Sequence, residues 1–246
     1  MIAEEIGERL EARADERTAR QTLRRQSSLR GVRGVPPADI ARIAAETWRA
    51  HRPSLPDARG ELNALFGQAY EDGLVAIGLL AAAWSEDPDG AKEIGFDWAE
   101  RVDDIFTGDA LGWLVLGPIG LGTGAWVEIL DELSAHRRTE GRRTVAAMAL
   151  AACPVVVEGP AAAPLREKIG QRSVQMVDQV QTGPVRSVLD RLVRDPDPSV
   201  RKALRRVLRA YATGAPEDAV DWAAGVSGGL PKLLGDEIKR ARRRAK

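Results

Sequence analysis

The stretch of residues 194–212 constrains the fold of the chain more than any other. Pro196 and Pro198 cannot lie inside a helix, whereas the aspartates and Ser199 beside them can accept hydrogen bonds from the free N–H groups of a new helix. Apolar residues then recur every three or four positions, which is the period of an amphipathic helix. These residues are Val200, Leu204, Val207, Leu208 and Tyr211. The sequence therefore predicts a helix over residues 199–212 with one packed side.

A second side of this predicted helix is positively charged. Its cations are Arg201, Lys202, Arg205, Arg206 and Arg209, and no acidic residue within residues 199–211 offsets them. A solvated helix face explains the pattern, and so does a surface that binds phosphate groups.

The rest of the chain shows helical periodicity and no alternating strand pattern. Helices of about 10–18 residues joined by short turns predict an all-α fold, and their pairing predicts a superhelical stack of HEAT-like helical hairpins, an α-solenoid. We expect a single domain over residues 1–246 with a basic tail at 239–246. The predicted helices span residues 2–28, 39–51, 61–70, 71–84, 91–103, 109–117, 125–136, 139–153, 165–181, 185–194, 199–212, 216–224 and 231–244.

Glycine and proline mark the predicted connections. Four glycines fall within residues 117–124, which we expect to form a loop. No strand precedes them and no Gly-Lys-Ser/Thr follows, so they do not predict a phosphate-binding loop of the nucleotide-binding kind. Pro53 and Pro56 are expected to interrupt the helices, and residues 154–164 to form an irregular crossing segment.

Charge is unevenly distributed along the chain. The 36 basic and 36 acidic residues balance, but residues 53–135 are strongly acidic. The N-terminal segment, residues 137–143, residues 186–209 and the tail are rich in arginine. This segregation predicts one basic surface on a neutral protein. Alternatively, the acidic stretch is the working face of a helical protein-interaction scaffold.

Composition narrows the remaining classes of function. The single cysteine, Cys153, excludes an intrachain disulfide and a cysteine zinc cluster, and the two histidines form no metal-binding motif, so we expect neither metal nor cofactor. The acidic N-terminus does not resemble a signal peptide, and the longest apolar runs, residues 74–84 and 145–157, are too short to cross a bilayer. We expect a cytoplasmic monomer with no membrane contact, and the sequence identifies no protein partner.

Five stretches carry a further signal through their order and spacing. They are Leu29-Arg-Gly-Val-Arg-Gly-Val-Pro-Pro-Ala-Asp-Ile-Ala-Arg-Ile-Ala, Tyr70-Glu-Asp-Gly-Leu-Val-Ala-Ile-Gly-Leu-Leu, Asp109 running to Leu116-Gly-Pro, Arg142-Arg-Thr-Val-Ala-Ala, and Val200-Arg-Lys-Ala-Leu-Arg-Arg-Val-Leu-Arg-Ala-Tyr. Together they resemble the AlkD-like family of DNA alkylation-repair glycosylases, over most of residues 20–225. The resemblance implies HEAT-like repeats that hold duplex DNA in a basic concave groove and hydrolyse the N-glycosidic bond of cationic N3- or N7-alkylated purines.

The resemblance also implies which residues form the site. Asp109, eight residues before Gly117, matches the family's catalytic aspartate, although a helix cap is the alternative role. Arg142 and Arg143 match the family's arginine pair, and Arg143 is the better candidate for a contact near the reacting sugar. The basic face of residues 199–212, together with Arg142, would contact DNA phosphates.

The family's aromatic residues are largely replaced in this chain. Ile105 and Arg206 stand where the family has tryptophans, and no aromatic residue lies near Thr22. Trp113, one helical turn after Asp109, is the candidate for a lesion-facing aromatic surface, and a packing residue is the alternative. These replacements motivate a second hypothesis, a non-catalytic relative that binds distorted or branched DNA.

Overall fold

The computed structural model describes residues 2–25, 29, 31–135, 139–154 and 177–244. Within these ranges every regular element is a helix, so the predicted all-α class is confirmed. The predicted crossing segment and the predicted helix over 165–181 lie almost entirely outside the described residues. The helices are α1 (Ile2–Glu11), α2 (Glu16–Arg25), α3 (Pro37–His51), α4 (Leu55–Phe66), α5 (Tyr70–Ala83), α6 (Pro88–Arg101), α7 (Ile105–Leu111), a π-helical turn (Gly112–Leu116), α8 (Gly117–Thr123), α9 (Trp126–Ser134), α10 (Thr139–Met148), a 3-10 turn (Ala149–Ala152), α11 (Thr182–Leu192), α12 (Pro198–Gly214), α13 (Pro216–Gly225) and α14 (Lys232–Arg244).

The helices pack in two layers, as expected for stacked helical hairpins. In the first layer α3, α5, α7, α10, α12 and α14 follow one another, and each contacts the next. Helices α4, α6, α9 and α11 form the second layer and pack against the first. The helical-repeat architecture predicted from the sequence is therefore confirmed.

Helix α12 begins where the proline and aspartate signals place it. The Asp197 side chain accepts hydrogen bonds from the N–H groups of Ser199 (2.7 Å) and Val200 (3.4 Å), and Pro198 occupies the first turn, where no N–H is needed. The predicted apolar stripe is buried along the whole helix. Its cations consequently lie on the side away from the core.

The predicted single helix over residues 2–28 is wrong. The chain forms α1 and α2, and Asp15 starts the second helix by accepting a hydrogen bond from the Thr18 N–H at 2.7 Å. Ile6 and Leu10 are buried in the core, whereas no described side chain of α2 is buried. The two segments separate because only the first has an apolar face to pack.

Pro56 starts a helix instead of interrupting one. The Ser54 side chain accepts a hydrogen bond from the Asp57 N–H at 3.3 Å, and Pro56 lies in the first turn of α4. The predicted start at residue 61 is therefore wrong, because proline is well tolerated in a first turn.

The predicted loop over residues 117–124 is also wrong. Helix α7, the π-helical turn and α8 run without interruption from Ile105 to Thr123. A Cβ atom on Gly117 would lie 2.8 Å from the Met148 carbonyl oxygen, and one on Gly122 would lie 2.8 Å from the Trp84 ring. Most of these glycines therefore permit close packing, while Gly124, with φ +76°, ends the helix.

This continuous helix is long and apolar enough to cross a membrane by length and composition alone. The sequence analysis missed it because the helix was expected to end at residue 117. In the structure 78% of its apolar window is buried inside the protein, as in the core helix of a folded domain.

Gly112→Ala is expected to destabilise the protein by roughly 1–3 kcal/mol, since overpacking forces neighbouring backbone to move. The added Cβ would lie 2.2 Å from the Thr144 carbonyl oxygen of α10. Urea unfolding monitored by circular dichroism measures the change. The matched control is Gly60→Ala in α4, where a Cβ meets nothing within 4 Å. The control should gain about 0.5–1 kcal/mol from helix propensity, and equal losses in both variants would contradict the packing argument.

Candidate active site and nucleic-acid interface

Asp109 lies inside α7 and does not cap it. The cap is Asp104, whose side chain accepts hydrogen bonds from the N–H groups of Phe106 (2.8 Å) and Thr107 (2.9 Å). The helix-cap interpretation of Asp109 is therefore wrong. The Asp109 side chain is only 7% exposed, so its carboxylate requires partners within the protein.

Arg143 supplies the first of these partners from α10. Its Nε donates to Asp109 Oδ1 and its Nη2 to Oδ2, both at 2.9 Å, in a bidentate pair. The remaining nitrogen, Nη1, donates to the carbonyl oxygen and the Oγ of Ser199, both at 3.0 Å. Since Ser199 lies in the first turn of α12, one buried guanidinium connects three helices of the first layer.

Arg206 supplies the second partner from α12. Its Nη1 donates to Asp109 Oδ2, the oxygen that Nη2 of Arg143 also contacts. The Arg206 side chain is 25% exposed, against 6% for Arg143. We call Asp109, Arg143 and Arg206 the Asp109 triad. With two guanidiniums and one carboxylate it carries a net charge of +1.

The triad brings together three residues that the sequence analysis placed in two different roles. Arg206 was assigned to the phosphate-contacting face, yet in the structure its guanidinium lies on the candidate catalytic carboxylate. The bidentate pair with Arg143 holds both carboxylate oxygens in one orientation, which suits a group that must face a developing charge. For such a role the carboxylate must also be reachable, and Arg206 is its more exposed partner.

Arg142 is held apart from the triad by its own partner. Its Nε contacts Asp195 Oδ2 at 2.7 Å, and Asp195 is almost fully buried in the turn before α12. This pair ties the start of α10 to the start of α12. Arg142 therefore has a structural contact that the sequence analysis did not anticipate.

A carboxylate from the last helix offsets part of the basic face of α12. Glu237, 2% exposed, receives Nε of Arg205 at 2.7 Å, Nη2 of Arg209 at 3.1 Å and Nη1 of Arg240 at 3.1 Å. No acidic residue of α12 itself offsets these cations, but Glu237 of α14 offsets part of their charge in the folded protein. Glu237 could not be matched to Arg205 from the sequence, because 32 residues separate them.

Two cations at the start of α12 have no carboxylate partner among the described residues. Arg201 donates through Nη2 to the Pro196 carbonyl oxygen at 3.1 Å. The Lys202 side chain is exposed to solvent. Together with the exposed Arg209, they form the part of the face most available to an anion.

Trp113 does not offer an aromatic surface. It lies in the π-helical turn and is 1% exposed, so the lesion-facing assignment is wrong and the packing alternative is correct. Trp98 is likewise buried, with its ring stacked on Phe66 at a centroid distance of 4.4 Å. Neither tryptophan replaces the aromatics expected from the resemblance.

The sequence analysis missed a buried carboxylate that shapes the glycine-rich segment before α3. Glu71 accepts hydrogen bonds from the backbone N–H groups of Arg33 (3.1 Å), Gly34 (2.8 Å) and Val35 (3.3 Å). Gly34 has φ +80°, and a Cβ there would lie 2.1 Å from the Asp15 carbonyl oxygen. The Gly-Val-Arg-Gly-Val stretch therefore wraps a carboxylate, which glycine spacing alone does not reveal.

A cleft of about 280 Å³ lies at the N-terminal end of α7. Its walls include Phe66, Tyr70, Arg101, Asp103 and Asp104. Burial raises the pKa of Asp104, and burial together with the charges of Asp104 and Glu71 raises the pKa of the Tyr70 hydroxyl. The surplus of carboxylates makes this cleft unsuited to phosphate groups.

The structure thus defines an α-helical repeat protein in which a carboxylate–arginine cluster lies beside a basic helix of the first layer. The family model described as DNA alkylation repair enzyme matches residues 6–228, and the chain belongs to this family. The resemblance inferred from sequence is therefore confirmed at the level of the family. That description indicates a DNA repair enzyme, with DNA as its partner. A search of the curated proteins finds no significant match.

Glu237 is expected to make the stability of the protein sensitive to acid. Burial raises its pKa, but hydrogen bonds from Arg209 and Arg205 outweigh this, so the pKa lies below its ordinary value of 4.5. The ionised carboxylate therefore stabilises the folded state above that value, and the contribution is lost as the pH falls through the lowered pKa. Glu237→Gln should accordingly show a shallower fall in the free energy of unfolding on acidification than wild type.

Chemical denaturation at a series of pH values from neutral to below this pKa measures the difference. Glu132→Gln on α9 removes an exposed carboxylate and should follow the wild-type curve. Parallel curves for wild type and Glu237→Gln would contradict the prediction, because the ionised Glu237 carboxylate would then add no pH-dependent stability.

Proposed function

We propose that this protein is a DNA glycosylase that binds duplex DNA along its first layer and hydrolyses the N-glycosidic bond of cationic N3- or N7-alkylated purines. The observation that carries the proposal is the position of Asp109. Its carboxylate is oriented by a bidentate arginine where three first-layer helices meet, beside the basic face of α12. Membership of the DNA alkylation repair enzyme family supports the same reaction class.

The proposed reaction asks little of the protein chemically. An alkylated purine already carries positive charge. When the bond to C1′ breaks, the base takes the electron pair and leaves as a neutral molecule. Positive charge then develops on the deoxyribose, and a nearby carboxylate stabilises it. Water adds its oxygen to C1′ and releases a proton, which leaves an abasic site. Asp109 has the charge for this role and needs no metal or cofactor.

Arg143 acts as a positioning residue in this proposal. It reaches the reacting sugar only through Asp109, whose two oxygens it holds. Its third nitrogen is fixed by Ser199, so the carboxylate cannot rotate without breaking several charge-assisted hydrogen bonds.

The DNA backbone would lie against the exposed side of α12. Lys202 and Arg209 are exposed there, and Arg205, although paired with Glu237, is part of a cluster of three arginines around one carboxylate with net charge +2. Such a surface attracts phosphates and releases their counterions, so affinity should depend strongly on salt.

A second candidate function is favoured by one specific observation. Both oxygens of Asp109 are paired and its side chain is 7% exposed, which suits a family member that binds distorted or branched DNA without cleaving a glycosidic bond. In that case the Asp109 triad would only hold its three helices together and add one positive charge to the DNA-binding surface.

Lys202→Gln is expected to weaken DNA binding uniformly across sequences and to lower the slope of log K against log salt concentration by about 1. Fluorescence anisotropy with a labelled duplex over a salt series measures this slope. The matched control is Arg59→Gln on α4 of the second layer, where Arg59 pairs with Glu93 at 2.8 Å. An equal change in both variants would place the DNA elsewhere on the molecule.

Asp109→Asn is expected to slow base release from methylated duplex DNA by roughly 10²–10³-fold, the effect of removing one charge-stabilising group. DNA affinity should remain, because the basic face of α12 is unchanged. Single-turnover assays with protein in excess measure release directly. Asp103→Asn, which removes an exposed carboxylate from the cleft, is the control and should release base at the wild-type rate.

The loss of a buried carboxylate leaves two guanidiniums uncompensated, which can itself destabilise the fold. The double variant Asp109→Asn/Arg206→Gln removes one charge of each sign and provides a folded comparison, checked by circular dichroism. Base release at the wild-type rate from either variant would exclude Asp109 as the charge-stabilising group. Absence of release from wild type, with salt-dependent DNA binding retained, would favour the second candidate function.

A further inference from the structure

Arg206 differs from Arg143 in how it contacts Asp109. Arg143 is buried, bidentate and fixed by Ser199, whereas Arg206 reaches Asp109 Oδ2 through one nitrogen and is 25% exposed. Among the described residues Asp109 is the only carboxylate that pairs with Arg206. The arginine pair is therefore asymmetric: one member supports the carboxylate and the other closes it off from solvent.

The group that closes the carboxylate is a planar, delocalised cation with N–H donors along its edge. A cationic alkylated purine has the same three properties. A carboxylate oxygen that accepts the edge of one can accept the edge of the other. The contact between Arg206 and Asp109 thus has the chemistry of a cationic base bound to a carboxylate.

We propose that the Oδ2 side of Asp109 is a binding site for a planar cationic nucleobase, and that Arg206 occupies this site in the free protein as an internal substitute. The inference rests on the proposed function, since it concerns the same carboxylate, which receives the cationic base on binding and faces the deoxyribose only in the later hydrolysis step. It goes further in naming the residue that must leave and the class of base that can take its place.

The charge of the triad explains why the occupant must be a cation. With Arg206 in place the triad carries +1 and repels a second cation. When Arg206 leaves, the pair of Asp109 and Arg143 is neutral, and Oδ2 has a lone pair open to solvent. A neutral base brings no charge to compensate the loss of a guanidinium, so undamaged purines do not displace Arg206.

Duplex DNA also provides an alternative partner for the displaced arginine. The Arg206 side chain comes from α12, the helix whose exposed side carries the cations for phosphate. A phosphate oxygen accepts the same charge-assisted hydrogen bonds as a carboxylate. After the exchange Arg206 pairs with a phosphate and the cationic base pairs with Asp109, so no charge is left without a partner.

The test measures binding of a free nucleoside, so it does not depend on hydrolysis. The probe is 7-methylguanosine in its cationic form, in mildly acidic buffer, titrated by calorimetry. Arg206→Ala is expected to bind it at least about tenfold more tightly than wild type, the gain from one charge-assisted hydrogen bond. Neutral guanosine should bind wild type and variant equally weakly.

Two further variants separate the site from general charge effects. Arg59→Ala removes a cation from α4 of the second layer, where its partner is Glu93, so this variant should bind the probe like wild type. Arg206→Ala/Asp109→Asn should lose the gain, because the carboxylate is absent. Arg206→Gln, which keeps a shorter polar side chain without the charge, should show part of the gain and replaces the alanine variant if that variant fails to unfold cooperatively.

Equal affinity of wild type and both Arg206 variants for 7-methylguanosine would overturn the inference. So would an equal gain for guanosine, which would reveal a cavity without selectivity for charge. The proposed function is judged separately by base release. A gain confined to the cationic nucleoside, with no base release from wild type, would uphold the binding site and refute the hydrolysis.

Discussion

The bidentate pair between Asp109 and Arg143 is the interaction on which the rest of the site depends. It joins α7 to α10, and the third nitrogen of Arg143 reaches Ser199 at the start of α12. A buried pair of this kind tolerates little displacement, because its charge-assisted hydrogen bonds require both side chains to keep their geometry. The close packing of α7 and α10 serves the same geometry. Gly112 follows Asp109 by one turn and lets the backbone of α10 approach at Thr144, directly after Arg143.

The basic surface depends on acidic residues as much as on its arginines. Glu237 gathers three guanidiniums from α12 and α14, and Asp195 holds Arg142 near the start of α12. Each carboxylate lowers the net charge by one but fixes long side chains that would otherwise lose rotamer freedom on binding an anion. A chain with 36 basic and 36 acidic residues can therefore still present an ordered cationic face. The net charge of the whole chain says nothing about this arrangement.

The parts of the structure that could be predicted are those set by local chemistry. The start of α12, its buried stripe and its exposed cations follow from prolines, an aspartate cap and a period of three to four residues. The pairing of charges could not be predicted in this way, since Asp109 and Arg206 lie 97 residues apart. The helix over Ile105–Thr123 was missed for another reason. Glycine serves both turns and close packing, and only the neighbouring helix decides between them.

Arg206 stands where the resemblance to the family implies a tryptophan, and this difference changes the site in a definite direction. A tryptophan at that position would offer a surface to a base and leave the carboxylate of Asp109 open. A guanidinium instead gives Oδ2 of Asp109 a second hydrogen bond in the free protein and covers the carboxylate. The gain in stability of the resting state is then a barrier to any ligand that needs the same oxygen. In the proposed exchange only a group that brings positive charge offsets this gain, so the replacement would link the stability of the fold to selectivity for cationic bases.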